Sequence, residues 1–156
     1  MSICYHEGSR EFHLYNKEIS YLITILKNGQ LGQLYFGKKL HDRESFSHLL
    51  ELRYRPMAVC TYEGDSTFSM EHIKQEYPSY GAGDMRYPAV EILQENGSRI
   101  TDFVYQTHRI YDGKPALAGL PATYTEDSKE AQTLEIELKD ELIHTTLILY
   151  LSLIHI

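Results

Sequence analysis

At 156 residues the chain has the length of one ordinary domain, enough to bury a core of its own. Its 42% apolar and 24% charged residues, with no low-complexity tract, exclude a disordered chain. Fifteen basic residues against 22 acidic ones leave a formal net charge of -7, which repels phosphate backbones and anionic lipid, so neither nucleic acid nor membrane is an expected partner.

Met1-Ser2-Ile3-Cys4-Tyr5-His6 lacks the basic segment and apolar run of a secretory leader, so a cytoplasmic protein is expected. Glu18 to Leu26 then alternates, with Ile19, Tyr21, Ile23 and Ile25 on one face of a β ribbon. Asn28-Gly29 tolerates the positive φ angles of a tight hairpin, so Leu31 to Phe36 is expected to return antiparallel. Apolar periodicity fades from Lys38 to Ser66, a long loop. The single predicted helix is short, Ser69 to Tyr77, with Ser69 as its N-cap and Pro78 closing it.

Asn96-Gly97 repeats the turn signal, with Ala89 to Leu93 leading in and Arg99 to Tyr105 and Thr107 to Tyr111 leading out. Asn96-Gly97-Ser98 is also a formal glycosylation sequon, but without a secretory leader the turn is the preferred reading. Asp112 to Glu130, with Gly113, Pro115, Gly119 and Pro121, is a second long loop; loops of this length are usually functional or touch another domain. Thr133 to Lys139 alternates strictly, the pattern of a half-buried strand. Leu142 to Ile156 is too short and too interrupted by His144, Thr145, Thr146, Ser152 and His155 to span a membrane. Short strands, turn punctuation and almost no helix predict an all-β fold, an antiparallel β-sandwich.

Chemistry is harder to find. Cys4 and Cys60 form no Cys-x-x-Cys pair, so two free buried thiols are expected rather than zinc or a redox dithiol. The eight histidines, His6, His13, His41, His48, His72, His108, His144 and His155, show no metal-binding spacing, so no metal is expected. No Gly-x-Ser-x-Gly elbow is present, and Gly81-Ala82-Gly83 precedes Asp84 and Arg86 rather than a helix, which gives no phosphate loop and no expected cofactor. Asp84, Asp102, Glu76 and Glu91 could supply the paired carboxyls of a glycosidase, but surface charges or salt-bridge partners are the preferred reading for each. Thirteen tyrosines with no tryptophan suit a sandwich core better than a sugar-stacking platform.

Three strings go beyond pattern. They are Gln75 to Ala89 (QEYPSYGAGDMRYPA); Asn96 to Phe103 (NGSRITDF), followed by Gly113-Lys114-Pro115 and Gly119 to Tyr124 (GLPATY); and Ala131 to Leu138 (AQTLEIEL). In this order and spacing, with Tyr35-Phe36-Gly37-Lys38 ahead of them, the chain resembles the amino-terminal domain of bacterial family-36 glycoside hydrolases from Tyr5 to about Tyr150. The resemblance implies a supersandwich-like fold, incomplete at the carboxyl end, and a parent α-galactosidase that hydrolyses terminal α-galactosides of the melibiose and raffinose type with retention. Two aspartates on a later (β/α)8 barrel perform that chemistry, and 156 residues cannot contain a barrel of about 250. The chain alone is therefore expected to be inactive, part of a homo-oligomer, and without cofactor.

The loop from Lys38 to Ser66 carries Phe46, Tyr54 and Asp65, residues suited to an interface. In the resembled enzymes a loop of this region reaches a neighbouring subunit's active site, which makes Asp65 a candidate sugar contact in trans. Asp84 and Arg86, just after two glycines, are read as a charge-paired brace of their loop. Leu151 to Ile156 departs from the family and equals the translation of a sequencing-library adapter, CTGTCTCTTATACACATC, so residues 1–150 are assigned to the domain and 151–156 to read-through. The alternative to an enzyme fragment is a free-standing carbohydrate-binding or subunit-contact sandwich.

Overall fold

In the computed structural model, which describes residues 2–54, 57, 61–81, 87–120 and 125–154, two antiparallel sheets pack face to face. The first is a meander of β1 (Ser2–His6), β2 (Glu11–Tyr15), β3 (Ile19–Ile25) and β4 (Leu31–Lys38). The second joins β7 (Val104–Asp112), β8 (Ala131–Asp140) and β9 (Thr145–Ile154), while β5 (Thr61–Tyr62) and β6 (Asp65–Ser69) form a small hairpin. Successive strand residues point to opposite faces, so Phe12, Leu14, Ile23 and Ile25 of one sheet meet Leu134, Ile136 and Leu138 of the other in a single core.

The expected hairpin at Asn28-Gly29 forms, with Gly29 at φ 85° and Ile25 paired to Leu31. Its carbonyl also accepts the Tyr105 N–H at 2.8 Å, tying the turn of the first sheet to β7 of the second. β8 contains the predicted strand Thr133 to Lys139 and extends it at both ends. A bulge divides β4, where Leu34 is skipped between the partners of Leu22 and Ile23. Another divides β7, where Gln106 is the extra residue between Tyr105 and Thr107, and so the two segments read from the sequence are one strand.

Three expectations give way. Ser69 to Tyr77 is not helical: β6 ends at Ser69, and residues 73–76 run beside the free edge of β4, with Gln33 N–H donating to Lys74 O and Glu76 N–H to Leu31 O. A one- or two-turn helix must meet a nucleation cost with few hydrogen bonds, and an open sheet edge supplies partners without it. Met70 and Ile73 also bury themselves with Leu26 and Phe68 in a second cluster, which an isolated helix would not achieve. The Asn96-Gly97 turn is present, with Gly97 at φ 81° and Gln94 N–H bonded to Ser98 O, yet its flanks are irregular rather than stranded and β7 starts only at Val104. Cys4, finally, is half-buried, its Sγ 3.5 Å from Ser2 Oγ, because it faces the outer side of an edge strand; Cys60 lies outside the described residues.

The long loop after β4 is only partly free. Residues 39–50, including a short 3-10 turn at Ser47–Leu49, lie down on the outer face of the first sheet, and the β5–β6 hairpin follows. That cover explains why outward-facing Glu11, His13 and Ser20 are nevertheless buried.

Candidate functional site

A polar cluster lies where this loop crosses β1, β2 and β3, and among the described residues it holds the one group of three close histidine and carboxylate side chains. Cys4 pairs with His13 and His6 with Glu11, so His6 and His13 are diagonal neighbours on the outer face. Asp42 reaches down from the loop, its Oδ1 2.7 Å from His13 Nδ1 and 3.0 Å from His6 Nε2. His13 Nε2 in turn lies 2.9 Å from Ser20 Oγ, which accepts the Leu40 N–H. The consistent assignment has His13 Nδ1–H and His6 Nε2–H donating to the carboxylate and the Ser20 hydroxyl donating to His13 Nε2. Partial burial pushes the Asp42 carboxyl up, but the hydrogen bonds from His13 and His6 outweigh it and hold the group below its ordinary value.

A serine, histidine and aspartate in this order have the hydrogen bonding of a hydrolase triad. Ser20 and His13 are both 0% exposed, however, and the serine oxygen is occupied by a backbone N–H, so no substrate carbon can reach it. The arrangement instead clamps the loop. Glu11, 1% exposed, completes the clamp by accepting the Phe46 N–H at 2.6 Å and the Ser45 hydroxyl at 3.3 Å. Phe46 itself is 2% exposed and packs edge-on against the His13 ring at 5.2 Å. Within this chain it therefore fills a structural position, covering the outer face of the first sheet beside His13.

Asp65 opens β6 just after the turn at Gly64. Its carboxylate pairs with Lys27 and accepts the Thr67 N–H at 3.0 Å and the Thr67 hydroxyl at 2.6 Å. The Lys27 bond, then those from Thr67, hold it far below the usual carboxylate range. Tyr54 is 67% exposed. Asp84 and Arg86 lie outside the described residues. Of the other acids weighed as a glycosidase pair, Asp102 accepts from Gln30 at 2.7 Å, Glu91 pairs with Arg99 at 2.5 Å, and Glu76 accepts the Tyr21 hydroxyl. No two of these three form a facing pair. Sequence spacing did not group His6, His13 and Asp42; the hairpin Glu7-Gly8-Ser9-Arg10, with Arg10 at φ 57°, was the available signal, since it sets the histidines diagonally across the ladder.

These features define an antiparallel β-sandwich domain whose described polar clusters fasten a loop to a sheet. The chain belongs to the glycosyl hydrolase family 36 N-terminal domain, whose family model matches residues 29–155. It is 44% identical over 143 residues to the α-galactosidase AgaA of Geobacillus stearothermophilus, covering 92% of this chain and 20% of that protein. The crystal structure of α-galactosidase AgaB from the same organism superposes with a TM-score of 0.86 at 40% identity, over 99% of this chain and 21% of that one. A substituted AgaA in complex with raffinose gives 0.83 at 42% identity, over 92% of this chain and 20% of that one. The chain thus spans about one fifth of the length of the relatives it matches.

Proposed function

We propose that this chain is the non-catalytic amino-terminal domain of an α-galactosidase that acts on terminal α-galactosides of the raffinose and melibiose type with retention. The observation that carries the reading is 44% identity across nearly the whole chain to an α-galactosidase of which it spans only 20%. No described carboxylate pair substitutes for the two aspartates such chemistry needs, and these belong to the parent's (β/α)8 barrel. A cytoplasmic, homo-oligomeric parent completes the reading, with exposed Phe36, Tyr54, Tyr87 and Leu142 available for partner contact. The purified chain is expected to release no galactose from raffinose, and the chain fused to the barrel portion of a family relative is expected to do so. Turnover by the chain alone that vanishes in Asp84→Asn would overturn it.

Asp65 and the loop before it are assigned to shaping a neighbouring subunit's substrate pocket. Because residues 39–50 are fastened to the sheet, the test is deletion of 51–60 in the full-length enzyme, with oligomeric state monitored. KM rises or kcat falls if the assignment holds; unchanged kinetics on melibiose and raffinose in an intact oligomer would refute it. Asp84 and Arg86 are assigned to bracing their loop, so Arg86→Lys costs Tm more than kcat. Residues 151–156 are assigned to adapter read-through, although 151–154 pair with β8 here; resequencing of the source DNA across this point decides it.

A further inference from the structure

The clamp beneath the loop has a second chemical capacity. His6 Nε2, His13 Nδ1 and an Asp42 oxygen all lie within 4.8 Å of one another, contributed by the two strands of one hairpin and by a loop more distant in sequence. We propose that this cluster binds a divalent first-row cation of the zinc type, with His6, His13 and Asp42 as protein ligands and water completing the shell. The inference is independent of the galactosidase reading, since nothing in it touches sugar chemistry.

Tetrahedral zinc with bonds of about 2.0–2.1 Å separates its ligand atoms by about 3.3 Å. The two contacts to Asp42, 2.7 and 3.0 Å, are shorter than that and all three ligand atoms lie within 4.8 Å, so the site closes on an ion by an outward shift of the 36% exposed Asp42 side chain and a small swing of His6, whose side chain is also partly exposed. His13 is the fixed point: fully buried, its ring held by a tilted contact with Tyr15 and an edge-on contact with Phe46. Its other nitrogen faces Ser20 Oγ at 2.9 Å, the outer hydrogen bond that orients a metal-bound imidazole. On binding, each histidine changes tautomer and keeps its one proton; His13 Nε2–H then donates to Ser20 Oγ, whose second lone pair still serves Leu40. Two neutral imidazoles and one carboxylate give a set of charge -1 for a dication.

Access and field agree with this. His6 is the solvent-side ligand and lines an open groove of about 690 Å³ together with Glu7 and Glu44, whose charges draw a cation toward it. The anchors on either side of Asp42, Leu40 N–H on Ser20 and Phe46 N–H on Glu11, keep the loop in place whether or not an ion is present. Two imidazoles with a single carboxylate select zinc, cobalt, nickel or copper over magnesium and calcium, which want more oxygen ligands.

The test uses the 156-residue chain, freed of metal with chelator, titrated with Co²⁺ and then Zn²⁺. Expected are one equivalent of Co²⁺ with a tetrahedral visible spectrum, its displacement by Zn²⁺ but not by Mg²⁺, and a Tm raised by about 5–10 °C at a hundredfold excess of free Zn²⁺ over Kd. His6→Asn and Asp42→Asn each weaken binding at least tenfold, whereas His48→Asn on the exposed face of the same loop leaves it unchanged. Absence of stoichiometric binding, or equal affinity in the His6 and Asp42 variants, overturns the proposal. Should either variant lose its far-ultraviolet β signal, imidazole nitrogen resonances of the unsubstituted chain decide: shifts at His6 and His13 on adding Zn²⁺ uphold the site, and shifts confined to other histidines remove it.

Discussion

Replacing Glu11 by Ala tests whether the loop over the first sheet is clamped by a buried charge. The carboxylate is 1% exposed and accepts two hydrogen bonds from the loop, the Phe46 N–H at 2.6 Å and the Ser45 hydroxyl at 3.3 Å. A hydrogen bond to a charged acceptor contributes about 1.5–3 kcal/mol, and stranding the partner N–H in a buried place costs a similar amount. The hydroxyl can turn to water, so only the Phe46 contact carries its full weight, and the expected loss is about 2–4 kcal/mol. For a domain of this size that corresponds to a fall in Tm of roughly 4–16 °C. Urea and thermal unfolding of Glu11→Ala, Phe46→Ala and the double variant complete a cycle. Because the carboxylate holds the segment that carries the phenyl ring, the two losses must couple by about 1 kcal/mol or more. A loss below about 0.5 kcal/mol in Glu11→Ala, or strict additivity with Phe46→Ala, would show that the loop is not fastened there.

Gly29→Ala lowers stability by about 2–3 kcal/mol, since an L side chain in the left-handed region costs about 1–2 kcal/mol and the new Cβ meets Val104 Cβ at 3.1 Å, prying apart the Tyr105-to-Gly29 bond; an unchanged Tm would contradict it. Burial pushes the His108 imidazole, which lies beside Tyr5 and Phe12, below its ordinary value. Its contribution is therefore present above about pH 6.5 and lost as pH falls through the folded value, so His108→Phe flattens the stability profile from pH 6.5 downward; an unaltered acid slope is the adverse result. Burial raises the Glu76 carboxyl, despite the hydrogen bond from Tyr21. A raised carboxyl favours folding below its unfolded value and loses that contribution as pH rises, so Glu76→Gln gains in Tm relative to the parent between pH 4 and pH 7, and a gain independent of pH would refute the cause.

Much of the scaffold was legible one strand at a time. Ile19, Tyr21, Ile23 and Ile25 announce a strand, Asn28-Gly29 announces its turn, and Thr133 to Lys139 needs no neighbour to be read, because a period of two and a positive φ are local properties of the chain. The strings around Gln75, Asn96 and Ala131 likewise carried the family, which the match over residues 29–155 establishes. What the sequence determined on its own was thus the alternation, the turns and the lineage. Only the tertiary structure decided the fate of residues 73–76, where a free sheet edge outbid a weak helix, and the burial of Glu11 and His13, which alternation assigns to solvent until a loop from thirty residues away covers them. The meeting of His6, His13 and Asp42 belongs to the same class: ladder register sets the two histidines diagonally on one face, and long-range packing of the loop, which no local pattern encodes, brings the carboxylate between them.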